Sequence, residues 1–158
     1  MQVPSFRARL GLIGLTIGAV LLALLVAGYG LASAAPAAAG VVVAPSTAGQ
    51  SAHPGVTVTY TLQITNTGSG TDTFDVSVSG FHWPTNLLIS GTGGTAGTVL
   101  LPHNGHSTIQ VEVTVPLTGT GHDVATVRAR SETDLNVSAT ATLTTTALFQ
   151  KYLPIIHR

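Results

Sequence analysis

Hydrophobic and polar residues alternate strictly along one long segment after residue 55. The even-numbered positions from Val56 to Ile64 are all apolar or aromatic, whereas the positions between them are threonine or glutamine. A period of two over ten residues predicts a half-buried β-strand, because successive side chains of a strand point to opposite faces. Residues 66–70, Asn-Thr-Gly-Ser-Gly, then end the pattern with turn-forming residues.

The same alternation recurs in four later segments. It predicts that the following residues face a core: Phe74, Val76 and Val78; Ile109, Val111, Val113 and Val115; Ala125, Val127 and Ala129; Val137, Ala139, Ala141 and Leu143. Apolar runs at 41–43 and 99–101 predict two further strands, whereas the Gly/Thr-rich segment 92–97 has no pattern and is predicted to be a loop. About seven short strands, with no helical period after residue 40, are typical of an antiparallel β-sandwich or barrel.

A basic start and a long apolar run precede the strands. Arg7 and Arg9 are followed by residues 10–27, in which Thr16 is the only polar side chain, and then by small residues at 32–34. This order is typical of a secretory signal peptide that is cleaved after residue 34, and Ala37-Ala38-Ala39 offers a second cut site. The run also approaches the roughly 20 residues that span a bilayer, so an uncleaved signal anchor is the alternative. In both cases the remaining chain is expected to be secreted or displayed at the cell surface.

Four regions follow from these patterns. Residues 1–34 form the signal peptide or anchor, 35–40 an Ala-rich linker, 41–147 the sandwich and 148–158 an apolar tail. Only 8% of the residues are charged, because threonine and serine supply the polar faces of the strands. Beyond residue 34 the chain carries four basic and six acidic residues, a net charge of −2. No basic surface is available to neutralise phosphates, which disfavours nucleic acid as a partner.

The order of several short motifs resembles a known family. These motifs are Pro54-Gly55, Asn66-Thr67-Gly68, Asp72-Thr73-Phe74-Asp75, Trp83-Pro84, the turn from Leu101 to Ser107, and Val115-Pro116. Their order is similar to that of the Ig-like accessory domain found in alpha-galactosidases and beside carbohydrate-binding modules, and of bacterial cell-adhesion-type Ig-like domains. The resemblance implies an immunoglobulin-like antiparallel β-sandwich and supplies no catalytic residues. The segment His103-Asn104-Gly105-His106 departs from the plain Pro-Gly turn of such domains.

Few residues are candidates for chemistry. His82, His103, His106 and His122 are scattered over loops, where histidines can bind zinc but are more often simply solvated. Asp72 and Asp75 are three positions apart, so a strand would point them to opposite faces and Asp72 would cap a turn, with calcium near Asp72 as the alternative. The sequence therefore predicts no catalytic residue, no cofactor and no metal ligand, and a metal-dependent enzyme is a remote alternative.

Two further segments carry candidate binding residues. Phe81 and Trp83 could stack on a sugar ring if they are exposed, whereas a buried Trp83 would plug one end of the sandwich. The tail residues Tyr152, Leu153 and Pro154 resemble short carboxyl-terminal motifs of exported proteins of Chloroflexota-like bacteria. That resemblance implies a sorting or surface-retention signal, and an edge strand that folds back on the sandwich is the alternative.

The sequence as a whole predicts an exported, non-catalytic Ig-like module with a structural, adhesion or assembly role at the cell surface. Its expected partners are other cell-envelope or secreted proteins, or polysaccharide, and it would meet a membrane only through an uncleaved amino-terminal segment. A carbohydrate-binding accessory module centred on Trp83 is the alternative function.

Overall fold

Two β-sheets account for the fold of residues 37–149, which are the residues that the computed structural model describes. The predicted signal segment at 1–34 lies outside them, as do Tyr152, Leu153 and Pro154 of the tail. The ten strands are β1 (Val41–Ala44), β2 (Thr47–Ala52), β3 (Thr57–Asn66), β4 (Asp72–Ser79), β5 (Thr85–Ile89), β6 (Thr92–Gly94), β7 (Ala96–Leu101), β8 (His106–Thr114), β9 (His122–Ser131) and β10 (Ser138–Ala147).

Each sheet has five strands. One sheet has the order β1-β3-β8-β5-β6 and the other the order β2-β10-β9-β4-β7. Neighbouring strands are antiparallel except β2 and β10, which pair in parallel from Thr47 opposite Thr142 to Ala52 opposite Ala147. This parallel pair departs from the wholly antiparallel arrangement expected from the sequence. None of residues 37–149 belongs to a helix that is long and apolar enough to cross a membrane.

The core lies between the sheets and consists largely of residues that alternation assigned to it. Val56 and Val137 were also assigned to it, but they lie just before β3 and β10, where Val56 is 46% exposed and Val137 is only half-buried. In β3 burial alternates along the strand, so that Leu62 and Ile64 are fully enclosed while Thr61 and Gln63 face outward. Fully buried side chains of the other strands complete this core: Phe74, Val76, Leu87, Ile109, Val111, Val113, Val115, Val127 and Leu143. The prediction of a β-sandwich is confirmed.

A hydrogen bond from a core tyrosine joins the two sheets. The Tyr60 hydroxyl, on β3, donates to the Thr144 carbonyl oxygen at 2.7 Å and lies 2.9 Å from Thr145 Oγ1, both on β10. Tyr60 is 2% exposed, so its hydroxyl needs these partners within the protein. The bond fixes the position of one sheet relative to the other at the centre of the core.

The structure corrects the prediction that residues 92–97 form a patternless loop. Ser90 and Gly91, with φ angles of 49° and 81°, form a two-residue turn between Ile89 and Thr92, so that β5 and β6 make a hairpin. Positive φ at both turn positions matches the type I′ turn, whose twist suits a hairpin. The chain then enters β7 at Ala96, so the glycines of this segment lie mostly in strands.

Candidate binding face

The structure places the predicted aromatic pair at the end of the core. Trp83 is 8% exposed and belongs to the core, and Phe81 is partly buried against it. A buried indole presents no free face on which a sugar ring could stack. This position favours the interpretation in which Trp83 closes one end of the sandwich.

A buried carboxylate holds the loop that carries these aromatic residues. Asp123, which is 3% exposed, accepts hydrogen bonds from the backbone N–H groups of His82 at 2.9 Å and Trp83 at 3.1 Å. The His82 Nδ1 atom lies 3.3 Å from the same carboxylate. Because both carboxylate oxygens are engaged by local donors, Asp123 acts as a clamp between β9 and the loop before β5.

Asp72 forms a second carboxylate clamp. It faces inward at the start of β4 and accepts hydrogen bonds from Ser131 Oγ at 2.5 Å, Thr133 Oγ1 at 2.7 Å and Thr133 N at 3.2 Å. Burial raises the pKa of Asp72, but the hydrogen bonds from Ser131 and Thr133 outweigh burial and lower the pKa below its ordinary value. Asp72 therefore anchors the β9–β10 hairpin, whereas the sequence predicted that it caps its own turn.

The predicted turn at 66–70 is organised by a buried amide. The Asn66 side chain donates to the carbonyl oxygens of Gly70 at 2.8 Å and Leu101 at 2.9 Å, and accepts from Gly68 N at 2.8 Å. His103 Nδ1 contacts the Gly68 carbonyl oxygen, so the unusual His103–His106 segment packs on this turn.

The histidines are not brought together. His82 lies beside Asp123 and His103 beside Gly68, and within residues 37–149 no three histidine or acidic side chains are grouped closely enough to hold a metal ion.

A shallow cavity of about 480 Å³ lies on the outer surface of the sheet β2-β10-β9-β4-β7. We call this surface the arginine face, because Arg128 and Arg130 project from it. Strand register aligns two rows of side chains across it: Thr98, Asp75, Arg130 and Ser138 in one row, and Ala96, Ser77, Arg128 and Thr140 in the other. Directly opposed residues of paired strands lie close enough to interact or to bind one ligand together.

The two arginines have different partners. Arg130 donates from its guanidinium to Asp75 Oδ2 at 3.1 Å, and both side chains are about two-fifths exposed. Arg128 makes no ion pair within residues 37–149, and its guanidinium donates instead to Ser138 Oγ at 3.4 Å. The sequence patterns did not predict this site, although Arg128 and Arg130 are the only arginine or lysine residues between 41 and 147 and lie on one face of one strand.

Comparison with known proteins defines the class of fold. No family model matches the chain, and no curated protein sequence matches it. A family 123 glycoside hydrolase from Clostridium perfringens aligns with a TM-score of 0.51 at 13% identity, over 65% of this chain and 23% of the hydrolase. The N-terminal domain of PorA aligns with a TM-score of 0.50 at 10% identity, over 66% of this chain and 95% of that domain.

The PapD-like domain 7 of human CEP192 aligns over 77% of this chain and 93% of that domain, with a TM-score of 0.47 at 15% identity. Identities this low establish the fold alone. The topology of the two sheets and the alignments at TM-scores of 0.51 and 0.50 make the fold an immunoglobulin-like β-sandwich, as the sequence predicted. Because no family model matches, the resemblance to the accessory domain of alpha-galactosidases stays a prediction, and so does that of the tail.

Proposed function

We propose that the chain is an exported, non-catalytic immunoglobulin-like module with a structural, adhesion or assembly role at the cell surface. The observation that carries the proposal is that both buried carboxylates accept hydrogen bonds from neighbouring parts of the chain. Asp72 and Asp123 are each occupied by two or more local donors that hold a loop or hairpin in place. A general acid or base must instead exchange a proton with a substrate within hydrogen-bond reach. These carboxylates therefore act in stabilising the fold.

The polar surface supports a role in contact with other envelope components. The outward positions of β3 and β10 are largely threonine, a β-branched residue that stiffens a strand and keeps its surface wet without charge. Residues 37–149 carry two arginines and six acidic residues, a net charge of −4. This negative charge disfavours nucleic acid as a partner. The proposed partners of the module are other cell-envelope or secreted proteins, or polysaccharide.

Export and retention are proposed from the two ends of the sequence. The amino-terminal segment would direct export, and the tail that includes Tyr152, Leu153 and Pro154 would retain the module at the surface. The sandwich strands end at Ala147, so the proposed signal can be removed without shortening β10.

Deletion of Lys151–Arg158 tests this proposal in the organism that makes the protein. We expect the truncated module to keep its melting temperature but to move from the cell-surface fraction to the medium, where mass spectrometry should find Ala35 or Gly40 as the first residue if the signal is cleaved. A chain with the same eight tail residues in scrambled order is the matched control and should also be released. A large fall in melting temperature with unchanged location would show that the tail belongs to the fold.

A further inference from the structure

We propose that the arginine face binds a carboxylated sugar of an acidic polysaccharide. Arg128 would pair with the sugar carboxylate, and Asp75 Oδ1 would accept a hydrogen bond from a ring hydroxyl. This inference deepens the proposed function, which includes polysaccharide among the partners, by assigning a site and a class of sugar, and it rests on that proposal. It also uses a surface different from the end of the core that holds Trp83.

Charge makes Arg128 distinctive. Residues 37–149 have a net charge of −4 with histidine neutral, and their only arginine or lysine side chains are two residues apart on β9. Asp75 neutralises Arg130, whereas Arg128 has no ion-pair partner in that part of the chain and makes only a long bond to Ser138. The Arg128 guanidinium is thus the one cation left available on this rigid strand. A single available cation suits a ligand whose negative charges are spaced apart, one on each sugar.

The neighbouring carboxylate selects the kind of anion. Asp75 and Arg130 are opposite each other, and Arg128 is two residues along the same strand from Arg130, so Asp75 lies beside any anion bound to Arg128. A doubly charged phosphate would be repelled by Asp75 more strongly than a singly charged carboxylate. The planar guanidinium also matches a carboxylate with two parallel hydrogen bonds.

The remaining groups of the site favour a ligand that is rich in hydroxyls. Asp75 Oδ1 makes no hydrogen bond within residues 37–149 and can accept one, while the hydroxyls of Ser77 and Thr98 lie on the same outer surface. Hot spots between proteins are enriched in tryptophan, tyrosine and arginine, and the aromatic residues among them fill well-packed pockets. The outward side chains here include no aromatic residue and offer only Ala96 as an apolar group, so the site lacks an aromatic anchor for a protein partner.

The shape of the site also suits part of a polymer. The cavity of about 480 Å³ falls within the roughly 300–1,000 Å³ of small-molecule sites. It is bounded by β7, β4 and β9, all of which are fixed by backbone pairing, so little ordering is needed on binding. A polysaccharide chain could cross the open sheet surface with one acidic sugar in the cavity.

Calorimetric titration of the purified full-length chain in a mild non-ionic detergent tests the proposal. The probe is a linear trimer of galacturonate, and the matched neutral probe is the corresponding trimer of galactose. We expect the acidic trimer to bind and the neutral trimer to bind at least about tenfold more weakly. Arg128→Gln should weaken binding of the acidic trimer by about tenfold or more, the loss expected when a charged hydrogen-bond partner is removed.

A relocated arginine separates a specific site from general charge. Gln110 lies exposed on the other sheet, so Arg128→Gln combined with Gln110→Arg restores the net charge without restoring the site. We expect this double variant to bind as weakly as Arg128→Gln, and Arg128→Lys to bind at an intermediate level. Urea unfolding of each variant should match that of the original chain, because Arg128 is exposed.

Four results would overturn the proposal: no binding of the acidic trimer, equal binding of the neutral trimer, unchanged binding by Arg128→Gln, or recovery of binding in the double variant. A glutamate pentapeptide that binds as tightly as the trimer through Arg128 would also overturn it, since the site would then recognise acidic polypeptides. None of these outcomes affects surface retention, so the proposed function is tested separately.

Discussion

The inward-facing carboxylate of Asp72 allows a sharp test of the fold, because Asp75 on the same strand provides a matched control. Asp72→Asn keeps the size of the side chain but removes its charge, and it places an amide N–H₂ where one carboxylate oxygen had accepted a hydrogen bond. The donors that lose an ionised acceptor are Ser131 Oγ at 2.5 Å, Thr133 Oγ1 at 2.7 Å and Thr133 N at 3.2 Å. Asp75→Asn makes the same chemical change on the outer face of the sheet.

The two variants should differ severalfold in how much free energy of unfolding they lose. A hydrogen bond to a charged group contributes about 1.5–3 kcal/mol, and the one oxygen of Asn can still accept the bonds that reach one of the two oxygens of Asp72. We therefore expect Asp72→Asn to lower the free energy of unfolding by about 2–4 kcal/mol near neutral pH, a large part of the roughly 5–15 kcal/mol that a domain has. Asp75→Asn breaks an ion pair that is about two-fifths exposed on each side, and should cost less than about 1 kcal/mol.

The pH dependence of the unfolding free energy checks independently that the ionised form of Asp72 stabilises the fold. The pKa of Asp72 is lower in the folded chain than its ordinary value of 3.8, so the folded state favours the ionised form. That stabilisation is fully present well above pH 3.8 and is lost as the pH falls through the folded-state pKa. The difference in unfolding free energy between the original chain and Asp72→Asn should therefore shrink as the pH is lowered past this range.

Urea unfolding followed by the fluorescence of the single tryptophan, Trp83, measures both variants across pH. The slope of the unfolding free energy against urea should be unchanged, because both variants unfold the same sandwich. Equal losses for Asp72→Asn and Asp75→Asn near neutral pH would refute the reasoning. So would a difference between the original chain and Asp72→Asn that does not change with pH.

Two further predictions concern the core. Val111→Asp places an unpaired charge where the native side chain has no exposure, and it should cost several kcal/mol, enough to unfold the domain. Thr140→Ser on the outer face should change stability by less than about 1 kcal/mol. Thermal melts with equal midpoints for the two variants would contradict the assignment of Val111 to the core and Thr140 to the surface. Tyr60→Phe removes the hydroxyl that joins the sheets and leaves Thr145 without that partner. Urea unfolding should therefore show a loss of about 1–2 kcal/mol in the free energy of unfolding. An unchanged urea midpoint would show that the bond contributes nothing.

The strands that alternation predicted are those that bury one face and expose the other. The strands β3, β4, β8, β9 and β10 each place one face in the core, so their apolar residues recur with a period of two. The strand β2, Thr-Ala-Gly-Gln-Ser-Ala, was missed because it lies at a sheet edge and buries little. It is held by backbone pairing with β10 and by a bond of 2.7 Å from Gln50 Nε2 to the Thr59 carbonyl oxygen. Such bonds leave no periodic trace in a sequence.

The β5–β6 hairpin was missed for a different reason. Its turn, Ser90-Gly91, is a recognisable hairpin signal, but β6 is Thr-Gly-Gly and lacks any side-chain pattern that would identify a strand. A Cβ on Gly93 would lie 2.9 Å from Asn86 Oδ1, so the glycine leaves room for the amide side chain of Asn86 on β5. A glycine in a strand can thus indicate a close neighbouring group as well as a loop.

The candidate binding face depends on strand register, and register is a relation between distant segments. Alternation already places Asp75, Arg128 and Arg130 on outer faces, but it does not say which arginine lies opposite the aspartate. The register of β4 against β9 pairs Asp75 with Arg130, 55 residues away, and leaves Arg128 opposite Ser77. A shift by two residues would keep every apolar residue in the core and would place Asp75 opposite Arg128 instead. The difference between a neutralised and an available arginine, on which the proposed glycan site rests, therefore comes from the pairing of the strands and not from the composition of either one.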